Sequence, residues 1–105
     1  MAGDMKNIFV LMPFKGEFDD VYMVVKNAVS DAQDSLKLPL HCRRADEIAK
    51  PGRITDHILE AISKSDVLIA DLSGNNANVM YELGFGHALK KPEVVKPNET
   101  VPSAN

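Results

Sequence analysis

The chain has too little of several things to belong to some common classes. It holds one cysteine, Cys42, which excludes an intrachain disulfide, and with no Cys/His cluster around it a zinc site is not expected. His41, His57 and His87 stand too far apart in sequence to suggest any other metal centre. No apolar run approaches the roughly 20 residues that a membrane helix needs, and the N-terminus lacks a cleavable signal pattern, so the expected compartment is the cytoplasm. The net charge is −3, and basic residues cluster only at Arg43-Arg44 and Lys90-Lys91, which gives no field suited to nucleic-acid backbone. Nothing matches GxxxxGK[ST], and Gly84-Phe85-Gly86 is not a dinucleotide fingerprint, which disfavours a P-loop NTPase or a Rossmann dehydrogenase. No cofactor is implied, and there is no internal repeat.

What is present is the composition of one small globular domain: 105 residues, 45% hydrophobic and 26% charged. Ile8 to Met12 and Val67 to Ala70 are continuous apolar runs, the pattern of strands buried on both faces of a parallel sheet. Pro13 ends the first, and Phe14-Lys15-Gly16-Glu17 follows as a loop. Phe18, Val21, Tyr22, Val25, Ala28, Val29 and Ala32 then mark one face of a helix whose N-terminus is favoured by Asp19 and Asp20. After Pro39, Leu40-His41-Cys42 reads as a second strand ending near Arg43 or Arg44, with Cys42 as buried filler. Pro51-Gly52 leads into a helix with Ile54, Ile58, Ala61 and Ile62 on its apolar face.

The second apolar run stops at Asp71, and Leu72 to Ala77 form a polar turn. Asn78 is the expected N-cap of a helix beginning at Val79, which places Glu82 in or just beyond its first turn. The pattern predicts an α/β fold: a three-layer doubly wound parallel sheet, flavodoxin- or Rossmann-like, of strand order 2-1-3-4, with Glu93-Val94-Val95 as a remnant fourth strand. Residues 1–92 read as the domain and 93–105 as that remnant plus a polar tail. In such sheets ligands bind outside the carboxyl ends of the strands, where Asp71 ends one strand and Glu82 opens the next helix.

Each candidate residue there has a plain reading beside a chemical one. Glu82 could simply complement the helix dipole, worth about 0.3–1 kcal/mol, and that dipole would keep it ionised. Asp71 could cap its loop by an Asx-type bond to Ser73 or Gly74. Asn75, Asn76 and Asn78 suit a turn and a cap as well as a sugar hydroxyl. Loop amides around Gly16 and Gly74 could hold a phosphate. Gly84 and Gly86 in a helix interior each cost about 1 kcal/mol relative to Ala, which points first to close backbone packing.

NANVMYELGFGHALKKP, from Asn76 to Pro92, together with VLMPF at Val10 to Phe14, resembles the nucleoside 2-deoxyribosyltransferase-like group and the TIR-like bacterial domains that share its architecture. The likeness covers roughly residues 8 to 92, and its specific part runs from Asn78 to Pro92. It implies a nucleoside or nucleotide as the small-molecule partner and Glu82 as a nucleophile at the anomeric carbon. Asp71 and Asp46 become its acid–base partners, and Pro13, Phe14, Arg44, Ser73, Gly74, Asn76 and Asn78 become substrate-binding candidates. The chain departs from the group's pattern at Asn75-Asn76-Ala77-Asn78, where acidic or small residues are usual, and this puts a deoxyribose preference in question. Related proteins continue with a further strand and helix, so the sheet is expected to be truncated and to associate as a homo-oligomer. A second reading is a TIR-like binding or signalling module that recognises a nucleotide without turning it over, or hydrolyses NAD⁺ only after self-association.

Overall fold

The computed structural model describes residues 5–13, 18–44 and 56–97. Its elements are β1 (Lys6–Leu11), α1 (Asp19–Leu36), β2 (Leu40–Arg44), α2 (Asp56–Lys64), β3 (Val67–Asp71), α3 (Ala77–Ala88) and β4 (Glu93–Lys96), with a short 3-10 turn at Ser73–Asn75. All the strand pairs are parallel and the order is β2-β1-β3-β4, as the two apolar runs predict. The expected remnant at 93–95 is thus a fourth strand paired along β3, and Lys96 belongs to it rather than to a tail. The expected loop 14–17, the start of the second helix at 51–55 and the tail from 98 lie outside the described residues.

Parallel strands cannot be joined by hairpins, so each connection crosses over through a helix, and right-handed crossovers decide the face on which it lies. The step from β1 to β2 runs opposite to the steps onward to β3 and β4, which leaves α1 alone on one face and α2 with α3 on the other. The buried side chains divide accordingly. Phe9, Leu11, Leu68 and Ala70 meet Ile58 and Ile62 of α2 and Val79 of α3, while Val10 and Met12 pack with Tyr22 of α1. Alternation along β1 serves both layers, which is why its sequence is apolar at every position from Ile8 onward.

The edge of the sheet at the strands' amino ends is closed by a reciprocal pair: Asp66 N–H donates to the Asn7 carbonyl at 2.8 Å, and Asn7 N–H donates to Asp66 Oδ2 at 2.8 Å. Helix ends are tied down by their neighbours. Lys37 adopts left-handed backbone (φ 55°) to end α1, and its N–H donates to the Gln33 carbonyl. Lys91 Nζ donates to the Ser63 and Ser65 carbonyls at 2.7 and 2.8 Å, capping α2 from the segment that enters β4.

Beside α1 the face of β3 and β4 is open. A trough of about 870 Å³ runs there between Val29 and Leu36 of α1 and Ile69 and Val94 of the sheet. Val94 and Val95 are 59% and 41% exposed, and among the described residues nothing pairs with the outer edge of β4. No described helix is long and apolar enough to cross a membrane.

The two glycines of α3 separate. A Cβ on Gly86 would collide with Leu68 Cδ1 of β3 and lie 3.4 Å from Ile62 Cγ2 of α2, whereas one on Gly84 would meet nothing within 4 Å. Close packing therefore explains Gly86 and not Gly84, and the approaching elements are β3 and α2 rather than β1 or α1. Leu68 is fully buried, so its side chain must shift within the packed core to admit a Cβ. Gly86→Ala is expected to lower stability by about 1–2 kcal/mol, overpacking outweighing the gain in helix propensity. Gly84→Ala, with no such clash, should raise it by about 0.5–1 kcal/mol. Urea denaturation of the two variants measures both, and equal effects would contradict the asymmetry.

Candidate active site

Leu11, Arg44, Asp71 and Lys96 end the four strands along one edge of the sheet, and the loop from β3 to α3 lies over its middle. Met12 and Pro13 continue β1 past the edge and are both buried. Phe14 and Asp46, expected on neighbouring loops, lie outside the described residues.

Asp71 is 3% exposed, an unusual burial for a carboxylate. Its Oδ1 accepts from the Ser73 N–H at 2.9 Å, the expected Asx-type bond, and stands 3.6 Å from Lys96 Nζ. Lys96 Nζ also donates to Ser73 Oγ at 3.0 Å, and the Lys96 carbonyl accepts from the Leu72 N–H at 2.9 Å. Asp71 Oδ2, in contrast, is buried with no hydrogen-bond partner among the described residues. The turn that follows bends at Gly74, whose φ of 76° is left-handed backbone open to glycine at no steric cost. Ser73 is half-buried and Gly74 exposed.

Helix α3 begins two residues before the expected start. Asn76, in extended backbone, is the N-cap: its Oδ1 accepts from the Val79 N–H at 3.1 Å, and its carbonyl accepts from the Met80 N–H at 3.0 Å. Asn78 lies inside the first turn, half-buried, and is not the cap. Asn76 therefore carries a structural duty with its side-chain oxygen, which leaves its amide N–H₂ as the group able to face a ligand.

Glu82 becomes the sixth residue of the helix, beyond the turn where the dipole acts. Val79, Glu82 and Gly86 form the buried stripe of α3, so the glutamate points inward, 3% exposed, in line with residues that pack on the sheet and α2. Among the described residues no side chain hydrogen-bonds or ion-pairs with it. Burial pushes its carboxyl up to about 7. The expectation that the helix dipole keeps Glu82 ionised is thus overturned: desolvation outweighs a dipole whose effect fades within the first turn. Near neutrality this group can hold or release a proton.

Arg44 ends β2 on the far side of β1 from Asp71, since both β2 and β3 pair with β1. It is 8% exposed, its guanidinium lies 4.5 Å from the Tyr22 ring centroid, and its Nη1 is 3.3 Å from Asp19 Oδ1. These contacts fasten the start of α1 to β2. The described residues thus bring Asp71, Ser73 and Lys96 into one cluster, with Gly74, Asn76, Asn78 and Glu82 on the chain leading from it. They hold Arg44 apart.

Lys96 has no place in the sequence-based candidate set, because residues 96 to 105 read as tail. Register would have found it. Leu68 pairs with Glu93, and three steps along both strands place Lys96 beside Asp71.

No protein-family model matches the chain, and no curated protein matches it. Among solved structures it is similar to the 2-desoxiribosyltransferase from Leishmania mexicana, with a TM-score of 0.58 at 20% identity over 86% of this chain. The chain spans 63% of that protein's chain. At such identity the likeness establishes a shared parallel α/β fold.

Proposed function

We propose that the chain acts on the N-glycosidic bond of a nucleoside or nucleotide, with Glu82 as nucleophile. The observation that carries this reading is an inward-facing glutamate with no counter-charge among the described residues, on the helix that follows the carboxyl end of β3. Such a group is costly for the fold, and strongly shifted carboxyls of this kind concentrate at functional sites. The similarity in fold to a 2-desoxiribosyltransferase and the YELG segment at Tyr81–Gly84 agree with it.

In this mechanism the Glu82 carboxylate attacks the anomeric carbon as the carbon–nitrogen bond breaks and the bonding pair leaves with the base. The proton that neutralises the base falls to Asp46, while Asp71 and the Asn76 amide orient the sugar. The resulting glycosyl ester on Glu82 is resolved by water, giving free sugar, or by a second base, giving a new nucleoside. Burial strengthens each of these electrostatic contacts at the oxocarbenium-like transition state.

Incubating the purified protein with a panel of nucleosides, nucleoside 5′-monophosphates and NAD⁺, and separating the products by chromatography, tests the reading. Base release or exchange is expected for at least one of them, and Glu82→Gln should lower the rate by at least about 100-fold. Because the nucleophile must be ionised, the rate should rise with pH through about 7. If no base appears with any compound, the glycosidic reading fails. A compound that raises the melting temperature with no product formed would point instead to a TIR-like binding module.

The same residue has a signature that requires no substrate. Its folded pKa of about 7 lies above the ordinary 4.5, so the fold favours the protonated form. That contribution is complete below about pH 4.5 and is lost as pH rises through 7. Glu82→Gln should therefore match the parent in stability near pH 4.5 and exceed it by up to about 3 kcal/mol at pH 8. A difference independent of pH, in denaturation series at the two values, would show that Glu82 is not held neutral by burial.

A further inference from the structure

Strand β4 contributes one residue to the candidate site, and its contacts are specific. Lys96 binds the segment after β3 at three points: its carbonyl takes the Leu72 N–H, its Nζ donates to Ser73 Oγ at 3.0 Å, and the same nitrogen lies 3.6 Å from Asp71 Oδ1. The Ser73 N–H occupies Oδ1 as well. One oxygen of Asp71 is thus held from two sides while the other, Oδ2, is buried and has no donor among the described residues.

An unsatisfied buried acceptor costs about 1–3 kcal/mol, more when it is charged. If Lys96 served only to neutralise Asp71, both oxygens would be free to rotate into its reach. Instead the Ser73 amide and the lysine fix the carboxylate plane and leave Oδ2 as the acceptor with unused capacity. Among the described residues no donor reaches Oδ2, which leaves that hydrogen bond to a ligand that binds at this edge of the sheet. A hydroxyl is the smallest such donor, and hydrogen bonds to a charged oxygen are among the stronger ones.

We propose that Lys96 is a positioning residue: with Ser73 it fixes the Asp71 carboxylate so that Oδ2 accepts a hydrogen bond from one sugar hydroxyl of the substrate. This rests on the glycosidic reading for the identity of the ligand and adds to it a residue that the family likeness does not cover, since that likeness ends at Pro92. Lys96 lies at the carboxyl end of an edge strand, its side chain is 37% exposed, and its own contact with the substrate is not required.

The test compares Lys96→Met, which keeps the aliphatic stem and removes the ammonium, with Lys96→Arg, which restores a donor. Binding is read by calorimetry in the Glu82→Gln background, where turnover does not consume the ligand. The ligands are a nucleoside turned over in the panel above and its 2′-, 3′- and 5′-deoxy analogues; if none is turned over, the proposal falls with the reading it rests on. Lys96→Met should weaken binding of the parent nucleoside by about 10-fold or more, which is about 1.4 kcal/mol. Lys96→Arg should recover most of that. For one deoxy analogue, the one lacking the hydroxyl that meets Oδ2, the methionine variant should bind as tightly as the lysine protein. An equal loss on every analogue would mean that Lys96 only supports the fold, and no loss on any would mean that Asp71 needs no help. Either result overturns the proposal while leaving the glycosidic reading standing. Failure of all these ligands to bind the lysine protein would overturn both.

Discussion

The structure depends on the constraint that parallel strands impose. A parallel sheet has no short connections, so every strand must be followed by a helix that returns over one face, and every strand then ends at the same edge. In a chain this short the constraint does two things together. It forces β1 and β3 into the middle, β1 covered on both faces and β3 on the face toward α2 and α3, and it delivers Asp71, the loop after it and the start of α3 to one place. The polar residues at that edge are where the apolar runs stop. Folding and the assembly of the candidate site are one event.

Carboxylates at that edge meet two different fates, and the contrast is informative. Asp71 is buried beside a lysine and a backbone amide, so its charge has compensation within the fold. Glu82 is buried as deeply with no partner among the described residues, and burial raises its pKa to about 7. Two acids with the same intrinsic chemistry thus have different surroundings, one with a lysine and an amide beside it and the other desolvated without a described partner.

The fold was legible in the sequence because its strongest signals are continuous: the runs Ile8–Met12 and Val67–Ala70 admit few other readings, and the spacing from Phe18 to Ala32 marks α1 with little ambiguity. The site was legible only in part. Asn occupies positions 75, 76 and 78, and any of them has the chemistry of a cap, so local propensity could not choose Asn76. The inward stripe of α3 is Val79, Glu82 and Gly86, of which two are not hydrophobic, so periodicity could not reveal that Glu82 faces the core. Lys96 escaped for another reason. Its role comes from strand register, a non-local property, and in a four-residue strand flanked by prolines the local pattern is weak.

The position of β4 sets an order in which the molecule comes apart. β1 is hydrogen-bonded along both edges, and its residues from Phe9 to Leu11 are at most 2% exposed, so exchange of its amide protons with water requires the whole sheet to open. β4 has a neighbour on one side only among the described residues, and its valines are largely exposed. It can detach at lower free energy while β1, β2 and β3 stay paired. Because Lys96 leaves with it, warming disassembles the Asp71 cluster before the core melts, while most of the backbone is still folded.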